Sequence, residues 1–148
     1  MGDAAEATDL TRPFKIIDHT ADIGIEVYGR TLKELFSTAA VALFSLISDP
    51  EQVRTTETRT VSVSAPDRES LLIRWLNELI YLWDTEHLLF SRFKIARLTS
   101  KYLDAECSGE RLDPSRHDVH RDVKAATYHM LQINRDTQGY QARIIFDI

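Results

Sequence analysis

The chain has 148 residues, 23 acidic against 18 basic side chains, and a single cysteine, Cys107. The net charge of −5 disfavours strong binding of free nucleic acid, and one thiol excludes an internal disulfide framework. No apolar run approaches the roughly 20 residues that a membrane span needs, so we expect one cytoplasmic globular domain.

The chain begins with a predicted tail, followed by a predicted strand. Residues 1–13 are small and acidic with little to bury, which predicts a disordered tail, and a single domain is expected over residues 14–148. Ile23, Ile25 and Val27 recur with a period of two, which is typical of a strand with one buried face.

A helix is predicted after this strand. Thr31 stands three residues before Glu34, and this capping-box arrangement satisfies free amides at a helix start. The Asp49-Pro50 pair ends the helical pattern. Between these signals, apolar residues fall on one helical face: Leu32, Leu35, Phe36, Ala39, Leu43, Phe44 and Ile47.

A second strand and a second helix are predicted next. Val61, Val63 and Ala65 alternate with serines, and Asp67 is placed to cap a helix. The helix has a broad apolar face, formed by Leu71, Leu72, Trp75, Leu76, Leu79, Ile80 and Trp83. Aromatic residues at helical spacing are usually core residues, so we expect Trp75 and Trp83 to be buried.

The second half of the chain is predicted to be mostly strands. Apolar or alternating patterns cover residues 88–98, 103–107, 123–133 and 140–146, and the polar segment 109–122 is predicted to be a loop. Early helices and many sequential strands predict an α+β fold, a single domain of mainly antiparallel sheets with two or three packed helices.

Acidic groups at the end of the chain suggest a metal site. The last predicted strand ends at Asp147 and Ile148, so an aspartate side chain and the terminal carboxylate are adjacent. With Asp22 as a third ligand, these oxygens would suit calcium or magnesium. The alternative is that they are ordinary solvated carboxylates.

Histidines offer a different chemistry. His117 and His120 lie three residues apart in the polar segment, and His19 or His129 would complete a zinc site or a metal-dependent phosphoesterase centre. A histidine in a polar loop is more often simply solvated. His129 is flanked by Tyr128 and Met130 in a predicted strand, which favours a hydrogen-bonded structural role.

Four motifs stand in order along the chain. They are residues 18–24 (DHTADIG), Gly109-Glu110 followed by Asp113 and His117, residues 123–129 (VKAATYH), and residues 146–148 (FDI). Through these motifs the sequence resembles the archease family over residues 14–148, and the helical segment 71–79 is also similar.

The resemblance implies a non-catalytic activator of the tRNA-splicing RNA ligase. That manganese- and GTP-dependent enzyme joins RNA ends bearing 3′-phosphate or 2′,3′-cyclic phosphate to 5′-hydroxyl ends. Archease-like proteins promote its guanylylation and repeated turnover in tRNA splicing or RNA repair. Two alternatives stand beside this expectation: a metal-dependent phosphoesterase or nuclease, and a chaperone-like modulator of nucleic-acid-modifying enzymes.

The resemblance also implies a site. It gives calcium, or another divalent cation, three ligands: Asp22, Asp147 and the terminal carboxylate of Ile148. We further hypothesise that Asp18 and His19 orient or supplement this metal edge. Four more residues are candidates for a surface that contacts the ligase: Glu110, Lys124, Tyr128 and His129.

Overall fold

A computed structural model of the chain describes residues 13–18 and 21–148. Its elements are β1 (Phe14–Asp18), β2 (Asp22–Gly29), α1 (Leu32–Ile47), β3 (Glu57–Ser64), α2 (Arg68–Glu86), β4 (Leu88–Leu98), β5 (Tyr102–Arg111), β6 (Ala125–Asp136) and β7 (Gly139–Asp147). A short 3-10 helix, Pro50–Gln52, lies between α1 and β3. None of the described helices is long and apolar enough to cross a membrane.

The strands form two antiparallel sheets, which confirms the predicted α+β class. The first sheet has the order β1-β2-β7-β6, and the second has the order β3-β5-β4. Helix α1 packs on β2 of the first sheet and β4 of the second, while α2 packs on β6 and β3. The two helices therefore join the sheets around one apolar core. Because β7 pairs with both β2 and β6, the last strand lies between the second strand and the sixth.

The predicted start of α1 is confirmed in atomic detail. The Thr31 hydroxyl accepts a hydrogen bond from the Glu34 amide at 3.1 Å, and the Glu34 carboxylate accepts one from the Arg30 amide at 3.3 Å. The two bonds satisfy amides that have no partner inside the helix. At the other end, Ser48 takes an extended conformation and its amide donates to the Phe44 carbonyl.

Helix α2 carries the aromatic core that the sequence predicts. The Asp67 side chain caps it by accepting from the Ser70 amide at 2.7 Å. Trp75 is fully buried and Trp83 is 6% exposed. The Trp75 indole N–H donates to the carbonyl of Phe36 in α1 at 2.9 Å, so the tryptophan joins the two helices by a hydrogen bond as well as by packing.

The structure differs from the sequence prediction near residue 109. Gly109, Glu110 and Arg111 continue β5 instead of opening the predicted loop, and Gly109 pairs with Glu57 and Phe90. A Cβ atom at Gly109 would lie 1.8 Å from the Leu89 carbonyl oxygen. This glycine marks a close approach of two strands, whereas the sequence pattern predicts the start of a loop there.

An ionic network ties the C-terminal end of α2 to the second sheet. The Arg59 guanidinium binds the Glu86 carboxylate in a bidentate manner, with distances of 3.0 and 2.7 Å. Arg111 donates to the same carboxylate and to the Glu86 carbonyl at 2.9 Å. The two cations come from β3 and β5, and they lie where the helix dipole favours positive charge.

This network predicts an acid-dependent contribution to stability. Hydrogen bonds from Arg59, and then from Arg111, lower the pKa of Glu86 to about 2. Since the folded-state pKa is depressed, the contribution is complete above the ordinary glutamate pKa of about 4.3 and is lost as the pH falls towards 2. Glu86→Gln should therefore lower the melting temperature at pH 6, and the gap from wild type should narrow at pH 2.5. A gap of equal size at both pH values would show that the carboxylate charge is not responsible.

Candidate functional site

The sheet register brings the predicted metal ligands together. Asp22, the first residue of β2, is the direct partner of Asp147, the last residue of β7, and Ala125 lies opposite Asp147 on the other side. The Asp147 carbonyl accepts a hydrogen bond from the Lys124 amide at 2.8 Å, and the Ile148 amide lies 3.5 Å from the Ala21 carbonyl. We call Asp22, Asp147 and Ile148 the carboxylate edge.

The carboxylate edge concentrates negative charge at an accessible place. Asp147 is exposed, and Asp22 and Ile148 are partly exposed. Directly opposed like charges are destabilising on a sheet, so the edge would gain from a cation. Carboxylate oxygens are the ligands that calcium and magnesium prefer. The donor set thus fits a hard divalent cation. The described residues contain no group of three or more His, Cys, Asp or Glu side chains placed to hold a metal, so the predicted third ligand, the carboxylate of Ile148, stays a prediction.

The structure describes Asp18 only in its backbone and does not describe His19, the two residues predicted to support the metal edge. Asp18 is the last residue of β1 and its backbone pairs with Ile23, but its side chain lies outside what the structure describes. His19 also lies outside the described residues. Their predicted role beside the carboxylate edge stays a prediction.

Lys124, Tyr128 and His129 lie on or just before β6, the strand that pairs with β7 beside the carboxylate edge. Lys124 immediately precedes β6 and is exposed. Tyr128 and His129 lie within a wide bulge of β6, in which residues 128–131 stand opposite Ile144 alone. Tyr128 is 57% exposed and Met130 is 64% exposed. Tyr128 and His129 are both exposed, and their contact role stays a prediction. The His129 amide donates to the Thr127 hydroxyl at 3.3 Å, while its ring has no hydrogen-bond partner among the described residues.

Sequence reasoning missed the bulge because its chemistry is unusual. Met130 has a φ of 55°, in the left-handed region that residues other than glycine seldom adopt. No glycine, asparagine or aspartate marks this position, so the strand pattern runs through it without a signal. The large residues Tyr128 and Met130 stand in this segment, but only the structure reveals that they are exposed.

Glu110 belongs to a separate, mostly buried cluster in the second sheet. Its carboxylate accepts hydrogen bonds from the Arg54 amide at 2.7 Å, from the Arg116 guanidinium, and from the His117 ring at 3.0 Å. The Asp113 amide donates to Nδ1 of His117, so the ring proton sits on Nε2 and points at Glu110. Burial by itself would raise the pKa of Glu110, but the three hydrogen bonds outweigh it and lower that pKa.

The cluster fixes the segment after β5 and gives its two histidines separate partners. The His117 ring forms hydrogen bonds with Glu110 and Asp113, whereas the His120 ring contacts the Asp49 carboxylate at 3.0 Å. The two rings have different partners, and the described residues show no metal-binding group around them. Within the described residues each ring serves its own local contact, and the hypothesis of a zinc site completed by His19 or His129 stays a prediction.

The fold and the site together define a class of protein: a single α+β domain whose last strand brings aspartates to the edge of a four-stranded sheet. The sequence model described as "Archease protein family (MTH1598/TM1083)" matches residues 14–148. This chain belongs to the archease family.

Relatives across archaea match nearly the whole chain. The archease of Methanosarcina acetivorans is 36% identical, covering 93% of this chain and 97% of that protein. The archease of Sulfurisphaera tokodaii is 40% identical, covering 91% and 98%. The solution structure of Methanobacterium thermoautotrophicum protein 1598 is similar with a TM-score of 0.80 at 37% identity, covering 93% and 99%.

A bacterial structure shares the fold at lower identity. It is the crystal structure of a Thermotoga maritima archease, described as a possible chaperone. Its TM-score is 0.64 at 22% identity, covering 89% of this chain and 94% of that one. At this identity the similarity concerns the fold alone.

Proposed function

We propose that this protein is a non-catalytic activator of the manganese- and GTP-dependent tRNA-splicing RNA ligase, which promotes the guanylylation and repeated turnover of that enzyme. The observation that carries the proposal is the pairing of Asp22 with Asp147 beside Ile148 in a chain of the archease family. An exposed acidic edge on a molecule with a net charge of −5 suits an action on an enzyme rather than on RNA.

Calcium or another divalent cation is part of the proposal. Asp22, Asp147 and the carboxylate of Ile148 would hold it, and the cation would offset their mutual repulsion. When bound, it supplies a positive centre that acceptor groups of a partner can share. The residues of this chain hold and orient the edge: the Lys124 amide fixes the Asp147 carbonyl, and β2 fixes Asp22.

Two features favour an activator over a hydrolase. Burial raises the pKa of the only thiol, Cys107, to about 12, which removes it as a nucleophile at neutral pH. His117 and His120 are engaged by protein carboxylates. A hydrolase built on these residues would first have to break the contacts that hold them.

The test is multiple-turnover ligation by the ligase of the same organism, at limiting enzyme with GTP and manganese, with and without this protein. We expect stimulation at substoichiometric amounts and no RNA cleavage or phosphate release by the protein alone. A chaperone-like role would instead suppress ligase aggregation without changing the rate of guanylylation. RNA cleavage by the isolated chain would reject the proposal in favour of the phosphoesterase alternative.

A further inference from the structure

The four strands at the sheet margins differ in how their outer edges are protected. β1 has only five residues, and β4 carries two register shifts. β6 carries the wide bulge, and both the amide and the carbonyl of Ala126 are bound by the Asn77 side chain, at 2.8 and 3.2 Å. Short length, bulges and covering groups are the usual means of blocking unwanted strand pairing.

β3 has none of these protections in its second half. It pairs with β5 without a register shift from Glu57 to Ser64, and it contains neither lysine nor proline. Among the described residues, its main-chain groups form hydrogen bonds only within the ladder to β5. About half of the amides and carbonyls of such a strand point outward, so β3 presents a template for one more strand.

A groove runs along this open edge. Its walls are the Ser62–Ser64 segment of β3 and the Tyr128 end of the β6 bulge, and its floor is a stripe of α2 that includes Arg74, Glu78 and Tyr81. Tyr81 and Tyr128 are 59% and 57% exposed. Arg74 and Glu78 form no ion pair with any described residue, so the groove offers aromatic surface, a cation and an anion to a ligand.

The groove is linked to the carboxylate edge through the start of β6. Asn77 lines the groove and binds Ala126, and the neighbouring Ala125 is the partner of Asp147. A protein that meets the carboxylate edge would therefore extend over the start of β6 into the groove.

We propose that the outer edge of β3 binds an extended segment of the partner enzyme, which adds a fourth strand to the β3-β5-β4 sheet. This inference rests on the proposed function, since the partner is the ligase. Main-chain pairing would supply affinity, and side chains facing α2 would supply selectivity. The segment alternates: apolar residues enter the groove between Tyr81 and Tyr128, and polar residues align with the exposed hydroxyls of Thr60, Ser62 and Ser64.

A second copy of this chain fits the edge less well. Its own β3 would present Val61 and Val63 to the groove, but Val61 is only 3% exposed and already belongs to the core. Two copies with a net charge of −5 each also repel one another. A partner strand with longer apolar side chains fills the groove without these conflicts.

Hydrogen exchange on the full chain, with and without the ligase, GTP and manganese, tests the inference. We expect outward amides of residues 57–64 to exchange at least about 10-fold more slowly with the ligase, because they become hydrogen-bonded. Amides of β4, the other edge strand of the same sheet, should be unchanged. Concentration-dependent protection of residues 57–64 in the protein alone would assign the edge to a second copy and overturn the proposal.

Variants separate this inference from the proposed function. Tyr128→Ser should weaken ligase binding at least about 10-fold, as loss of an aromatic anchor does. Val63→Lys, which places a charge on the groove side of the edge, should do the same. Tyr28→Ser, at a tyrosine 42% exposed on β2, is the matched control and should bind as wild type. If wild type stimulates ligation but the ligase does not protect β3 and Tyr128→Ser remains fully active, the β3 site alone is overturned. If the wild-type protein neither binds nor stimulates the ligase, both proposals fail.

Discussion

Asp147→Asn is expected to abolish stimulation of the ligase while leaving the fold intact. The change removes one of the carboxylates from the carboxylate edge and keeps the size of the side chain. Losing a group that only orients a metal ligand typically lowers metal affinity by about 10- to 100-fold, so loss of a ligand should lower it at least as much. Calcium affinity by calorimetry and multiple-turnover ligation should therefore fall together.

The difference in stability between wild type and Asp147→Asn should change sign when calcium is added. In the presence of a chelator, Asp22 and Asp147 repel each other across the β2–β7 pair, so Asp147→Asn should be at least as stable as wild type. With calcium, the wild-type protein should gain stability because the cation binds the folded state alone, and the variant should gain little. Thermal melts of both proteins, each with calcium and with chelator, give the four melting temperatures that this comparison needs.

Asp84→Asn is the matched control, because Asp84 is an exposed residue of α2 with no side-chain hydrogen bond among the described residues. It makes the same change of charge far along the chain from the carboxylate edge, and its effect on stability should stay within about 0.5 kcal/mol. Equal stimulation by wild type and Asp147→Asn would remove the metal from the proposed mechanism. Equal loss with Asp84→Asn would point to net charge as the cause.

The geometry of the carboxylate edge depends on strand register, which sequence patterns do not state. Alternation predicts that Asp22 opens one strand and that Asp147 closes another. That the two strands are direct neighbours follows only from the order β1-β2-β7-β6, in which the last strand inserts beside the second. The non-local contact between β2 and β7 thus makes direct partners of Asp22 and Asp147, two of the three residues that the sequence groups by their chemistry. The metal itself stays a prediction.

Local signals predicted the helices well. The Thr31 and Asp67 caps act within three residues of themselves, and both are found where the sequence places them. Glu110 and His117 show the opposite case. Glu110 binds the Arg54 amide, which lies 56 positions away in the chain, and the His117 ring, which lies 7 positions away. The composition of this segment suggests a solvated loop, whereas folding buries an ionic cluster there.

Trp75→Ala is expected to cause the largest loss of stability of any substitution considered. The side chain is fully buried, and its ring meets Phe93 of β4 edge to face at a centroid distance of 6.2 Å. Truncating a buried tryptophan to alanine typically costs about 3–5 kcal/mol, a large part of the roughly 5–15 kcal/mol that stabilises a domain. Urea denaturation should show this as a lower midpoint, and Tyr81→Ala, on an exposed position of the same helix, should change stability by no more than about 0.5 kcal/mol.

Trp75→Phe separates packing from hydrogen bonding at the same place. The phenyl ring keeps much of the contact with Phe93 but removes the donor to the Phe36 carbonyl, for which a loss of about 1 kcal/mol is expected, with a further loss for the smaller ring. Because Trp75 touches α1 through Phe36 and the second sheet through Phe93, both variants should unfold in one transition. Two separate transitions would mean that the sheets are stabilised independently, and that the helices do not join them into one cooperative core.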